Sequence, residues 1–117
     1  MNDDVIDRTA LNQLLENIGG DKAFLSELIY AYLVDTPRLI ESMRRAAAAN
    51  DAAEFRRAAH TLKSNSTNFG ALALSQMCKL MEEAGKHGAL ENIAPRIAEI
   101  ENGFEQVKFA LARLRES

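Results

Sequence analysis

The chain has 117 residues and a formal net charge of −3 at pH 7, which allows one hydrophobic core but not two and lacks the positive excess that grips nucleic-acid backbones. With 47% hydrophobic and 26% charged residues it reads as a folded domain spanning residues 1–117, and its single cysteine, Cys78, excludes an internal disulfide. The acidic start Met1-Asn2-Asp3-Asp4 and the lack of any apolar run near the roughly 18 residues of a membrane span predict a cytoplasmic protein without direct membrane contact, although a domain cut from a larger membrane protein would read the same.

Apolar residues recur at three- and four-residue spacing almost throughout, with no sustained alternation, so the fold is predicted to be all-α. Leu11, Leu14, Leu15 and Ile18 mark a first helix that stops at Gly19-Gly20, and Asp21 is a natural N-cap for the next. That helix presents Phe24, Leu25, Leu28, Ile29 and Tyr32 and reaches Asp35-Thr36-Pro37, where proline suits a new start with a change of direction. A third segment, about 37–49, carries Leu39, Ile40 and Met43 and breaks at Asn50-Asp51.

From Ala52 a further helix turns Phe55, Ala58, Ala59, Leu62 and Ser66 inward and ends or bends at Gly70. The next carries Leu72, Leu74, Met77, Cys78, Leu80 and Met81 up to the 85–88 stretch, where two glycines fall. The last, about 90–114, aligns Ile93, Ile97, Ile100, Phe104, Val107 and Leu111, with Pro95 in its first turns and Gly103 near its middle. Short connections between long helices predict an antiparallel four-helix bundle of segments 24–49 (bent at Pro37), 52–68, 71–86 and 90–114, with one or two short additional N-terminal helices.

Functional chemistry concentrates around His60. Helical spacing puts it on a polar face with Arg56, Arg57, Lys63, Ser64 and Thr67, while Phe55, Ala59 and Leu62 point inward. Imidazole is a nitrogen nucleophile that is partly neutral near pH 7, so it can attack a phosphoryl group. The product is an anion that Lys63 and Arg57 can support, at about 0 to 1 kcal/mol for each exposed charge pair. The small Ser64, one turn on, leaves room for a partner's loops, and bulk there should block transfer.

The segment His60-Thr61-Leu62-Lys63-Ser64-Asn65-Ser66, followed by Gly70, resembles the motif of histidine-containing phosphotransfer (HPt) domains: His-x-x-Lys-Gly-x-Ser or Ala, then glycine some ten residues after the histidine. The likeness continues through Leu74, Cys78, Leu80, Glu82, Ala84 and Gly85, and upstream from Leu11 to Leu33, so it covers essentially the whole chain. Ser64 departs from the usual glycine. Serine is small enough to weaken close approach rather than abolish it, and mid-helix it avoids the 0.5 to 1 kcal/mol or so that glycine costs relative to alanine.

The resemblance implies that His60 is the phosphorylated residue, supported by Lys63, with Lys86 where some relatives carry a second basic group. It places Glu82 where a polar side chain orients the imidazole from below. It further implies a phosphorelay intermediate whose partners are receiver domains of response regulators or hybrid sensor kinases, docking over the histidine and the N-terminal helices. Leu14 and Phe24 are candidate docking residues, with Ala10 and Leu11 nearby. In such a relay the receiver supplies the acidic pocket and Mg²⁺, so this chain is expected to bind no cofactor, to act as a carrier rather than an enzyme, and to be a monomer.

The residues themselves agree with a carrier: no Walker or kinase glycine loop is present. His87 and Cys78 do not combine with His60 at metal-ligand spacing, and no glycine-flanked serine elbow marks a hydrolase. The alternative is a helical interaction module that docks receivers without carrying phosphate. The combination of Lys63, Ser64 and Gly70 argues against it, since an ordinary interface does not require it.

Overall fold

A computed structural model describes residues 5–116; the acidic stretch Met1 to Asp4 lies outside them. Five helices follow in chain order: α1 (Arg8–Asn17), α2 (Lys22–Ala48), α3 (Ala52–Asn68), α4 (Leu72–Lys86) and α5 (Ala94–Glu116), with no strand among the described residues. α3 lies between α2 and α4 and packs along both, α5 closes the bundle against α2 and α4, and α1 rests on α3. The predicted four long elements and one short N-terminal helix are therefore all present.

Aspartates start the first three helices. The carboxylates of Asp7, Asp21 and Asp51 accept from the amides of Thr9, Phe24 and Glu54 at 3.2, 3.0 and 3.1 Å, satisfying amides that have no partner within the first turn. α3 ends in a glycine-dependent closure. Gly70 takes φ +78°, its amide donates to the Thr67 carbonyl at 3.1 Å, and the Ala71 amide donates to the Ser66 carbonyl at 2.8 Å.

Two expectations about helix boundaries are corrected. No new helix begins at Pro37: α2 runs unbroken through it. Ile29, Tyr32, Thr36, Ile40 and Met43 form one buried stripe that spans the proline, while Pro37 itself is exposed and its missing amide costs the helix one hydrogen bond. Continuous packing outweighs one lost hydrogen bond. The last helix starts at Ala94 rather than near residue 90, although Leu90 and Ile93 are buried in the turn before it. The Ile93 carbonyl receives the amides of Arg96 and Ile97, so Pro95 falls in the first turn, where an amide is dispensable.

The core is centred on Phe55, Leu62, Met43, Leu74, Ile97, Ile100 and Leu111. Three residues placed on apolar stripes by their spacing are instead exposed: Phe24 (43%), Leu72 (41%) and Leu80 (53%). Tyr32 ties three helices together. Its ring stacks on Phe69 at 4.7 Å and meets Phe104 edge-on at 6.1 Å, and its hydroxyl shares a 2.8 Å hydrogen bond with Ser66 Oγ. Burial pushes the phenol well above its ordinary pKa. Tyr32→Phe should leave Ser66 short of a buried partner and lower stability by about 1 to 2 kcal/mol, read from the urea midpoint at unchanged slope.

Candidate functional site

α3 and α4 run antiparallel with Ser75 opposite Thr67, Glu82 opposite His60 and Lys63, and Gly85 opposite Arg56. Small residues on α4 set this close approach. A Cβ added at Gly85 would lie 3.0 Å from Arg56 Cβ and 3.2 Å from its Cα, so any larger residue would have to push the α3 backbone back by a few tenths of an ångström. At the other end the Ser75 hydroxyl joins Thr67 Oγ1 at 2.7 Å, and both hydroxyls reach the Lys63 carbonyl, at 3.3 and 2.9 Å. The backbone that carries Lys63 is thereby fixed to α4. Ser75 has no counterpart among the residues expected from the sequence; its signal there is a small polar residue on the inward stripe of Leu74, Cys78 and Met81.

Between these two contacts lies the histidine. His60 projects from the middle of α3 with 59% of its side chain exposed, and its Nδ1 stands 2.8 Å from Glu82 Oε2. The other Glu82 oxygen accepts from Lys63 Nζ at 2.6 Å. One carboxylate therefore holds both groups. The Lys63 ammonium, first, and the His60 hydrogen bond after it keep the Glu82 carboxyl below the usual glutamate range, outweighing partial burial. An ionised carboxylate can only accept, so the imidazole proton sits on Nδ1 and Nε2 is left as the nucleophilic nitrogen facing outward.

The remaining predicted site residues are placed as follows. Ser64 is exposed on the turn after His60. Arg57 lines the shallow cleft formed with Ala53, Arg56, His60 and Glu82, but both oxygens of Glu54 engage its guanidinium. Lys86 is exposed in the last turn of α4, one turn beyond Glu82, and does not line that cleft. Leu14 and Ala10 are half-buried, with Leu14 packed on the core, whereas Leu11 is a core residue and offers no surface for docking. Cys78 is buried and its thiol pKa is pushed up to about 12 by desolvation, which leaves it unreactive. No group of three or more candidate metal ligands occurs among the described residues, and no described helix is long and apolar enough to cross a membrane.

Glu82 gives a two-part prediction. Glu82→Ala releases both the imidazole and the ammonium, and the phosphorylation that the sequence leads one to expect at His60 should slow about tenfold, the low end of what orienting partners contribute to metal-bound histidines. Glu82→Gln keeps one acceptor and should fall between. Because folding lowers the Glu82 pKa, its contribution to stability is present above the unfolded glutamate value of about 4.3 and is lost as pH falls through the lowered folded value. Urea midpoints of the Gln variant should therefore decline less steeply than wild type below about pH 4.

A family model described as the Hpt domain matches residues 27–110, and the chain belongs to that family, whose members perform histidine phosphotransfer in phosphorelays. Among solved structures it is similar to histidine-containing phosphotransfer protein B (HptB) of Pseudomonas aeruginosa PAO1, at 28% identity and a TM-score of 0.87, over 96% of this chain and 95% of that one. The HPT domain of a sensor hybrid histidine kinase from Shewanella shares the fold at 22% identity and a TM-score of 0.70, over 89% and 90% of the two chains. Comparison with curated proteins gives no match.

Proposed function

We propose that His60 is the phosphoryl-accepting residue of a phosphorelay intermediate, which takes the group from a receiver-domain aspartate and passes it to another. The contact between His60 Nδ1 and Glu82 carries this reading, because it holds the proton inward and leaves Nε2 free on an exposed face. In the forward step the Nε2 lone pair forms the N–P bond. The P–O bond to the receiver's carboxylate breaks, and its electron pair stays on that carboxylate. The Nδ1 proton remains against Glu82, which offsets the positive charge that builds on the ring. Attack by a second receiver's carboxylate reverses these events.

Lys63, 29% exposed and within reach of the same face, supports the phosphoryl oxygens. Mg²⁺ belongs to the receiver in this scheme, and this chain contributes a positioned nucleophile rather than a catalytic centre. Docking falls on the surface that includes exposed Phe24 and half-buried Leu14, with Ser64 giving room next to the histidine. The domain acts as a monomer in the cytoplasm, with receivers as partners.

The test is transfer of labelled phosphate, with Mg²⁺, from a panel of phosphorylated receivers. Acid-labile, alkali-stable label on the peptide containing His60 is the expected result. Label on any other peptide, or none from any receiver that binds, would overturn the assignment.

A further inference from the structure

The geometry points to Arg56, rather than Arg57, as the arginine that binds the phosphoryl oxygens of phosphorylated His60. This rests on the proposed role of His60. The two arginines are adjacent in sequence and both line the cleft, yet their surroundings differ. Arg57 has Glu54 one turn before it, and the Glu54 carboxylate meets its guanidinium through both oxygens, which lowers the glutamate's pKa and raises the arginine's. That fork is already filled by a carboxylate.

Arg56 has alanine at 52, 53 and 59 as its helical neighbours and His60 exactly one turn on, so no acid on α3 can neutralise it. From α4 its backbone meets Gly85, which has no side chain, and its guanidinium has no hydrogen-bond or ion-pair partner among the described residues. The acid nearest the cleft, Glu82, is occupied by Lys63 and His60. Arg56 therefore presents an unneutralised planar donor on the histidine's own face. Guanidinium donates in a fork that matches two phosphoryl oxygens, whereas an ammonium acts as a point charge. Lys63 would then hold the phosphoryl group from the C-terminal side of the histidine and Arg56 from the N-terminal side.

The experiment separates the phosphate from the receiver by using phosphoramidate as donor. Its P–N bond breaks, the electron pair leaves with nitrogen as ammonia, and Nε2 forms the new N–P bond. Phosphorylation rate and phosphohistidine lifetime would be followed by ³¹P NMR for the wild type, Arg56→Ala, Arg56→Lys and Arg57→Ala, with His60→Gln as the blank. An exposed charge contact of up to about 1 kcal/mol corresponds to roughly fivefold. Arg56→Ala should lose about that factor at low salt and less at high salt, Arg56→Lys should fall between, and Arg57→Ala should lose less than Arg56→Ala. Equal behaviour of Arg56→Ala and wild type, or a larger loss for Arg57→Ala, would overturn the assignment of Arg56. No signal from the wild type would instead overturn the role of His60 on which it rests.

Discussion

The His60→Gln variant is expected to take no label from any phosphorylated receiver and still to bind them. Glutamine's amide nitrogen has its lone pair delocalised into the carbonyl, so it offers no nucleophile where Nε2 stood. The rest of the site is little disturbed. Position 60 is exposed, glutamine is a good helix former, and its amide can still donate toward Glu82 Oε2. Stability should stay within about 0.5 kcal/mol of wild type, as for other surface substitutions, so lost label cannot be ascribed to unfolding. The control is His87→Gln, since His87 is the other histidine and lies exposed at the C-cap of α4. That variant should accept label as wild type does. Label persisting on His60→Gln but lost from His87→Gln would move the phosphorylated position to the turn after α4, and label lost from both would point to a requirement for two histidines.

Helix ends and the inward stripe of α3 were readable because each rests on a local rule. Gly70 closes α3 as glycine in the left-handed region does, Asp21 caps α2, the break at Asn50-Asp51 separates α2 from α3, and Phe55, Ala58, Ala59, Leu62 and Ser66 all turned out buried. Pro37 misled for the same reason. A local rule predicts a new start, but the buried stripe on both sides of it is a tertiary fact that one helix cannot reveal. Phe24, Leu72 and Leu80 show the converse, since spacing says which residues share a face and not whether another helix covers it.

The candidate site was half legible. His60 and Lys63 follow from positions three apart on one helix, and Glu82 entered only through the family resemblance. That one carboxylate serves both depends on the register of α4 against α3, set by Gly85 on Arg56 and Ser75 on Thr67, and no single helix encodes it. The contrast between Arg57 and Arg56 was present in the sequence all along. Glu54 stands three residues before one, and only alanines and the histidine surround the other at helical spacing.

Gly70→Ala is expected to destabilise the protein by about 2 to 5 kcal/mol, from two separable costs. At φ +78° an L-residue other than glycine is disfavoured by about 1 to 2 kcal/mol. The added methyl would also stand 2.5 Å from the Asp7 carbonyl oxygen and 3.2 Å from its nitrogen, and these are backbone atoms that cannot swing aside. Relieving such an overlap costs roughly a further 1 to 3 kcal/mol. The same displacement breaks the 2.8 Å hydrogen bond from the Asp7 amide to the Gly70 carbonyl, which fastens the start of α1 to the end of α3. The site and the docking surface should therefore part company in the surviving folded fraction. His60, Lys63 and Glu82 are held by α3 and α4, so phosphorylation by phosphoramidate should persist. Receiver affinity should fall, because Leu14, a docking residue in the proposed scheme, rides on the helix that has come loose. Urea unfolding gives the first number, and receiver titration at a temperature where the variant is folded gives the second. A variant as stable as wild type would mean that the backbone at Asp7 yields freely, and equal loss of small-donor and receiver reactions would mean that α1 supports the histidine itself.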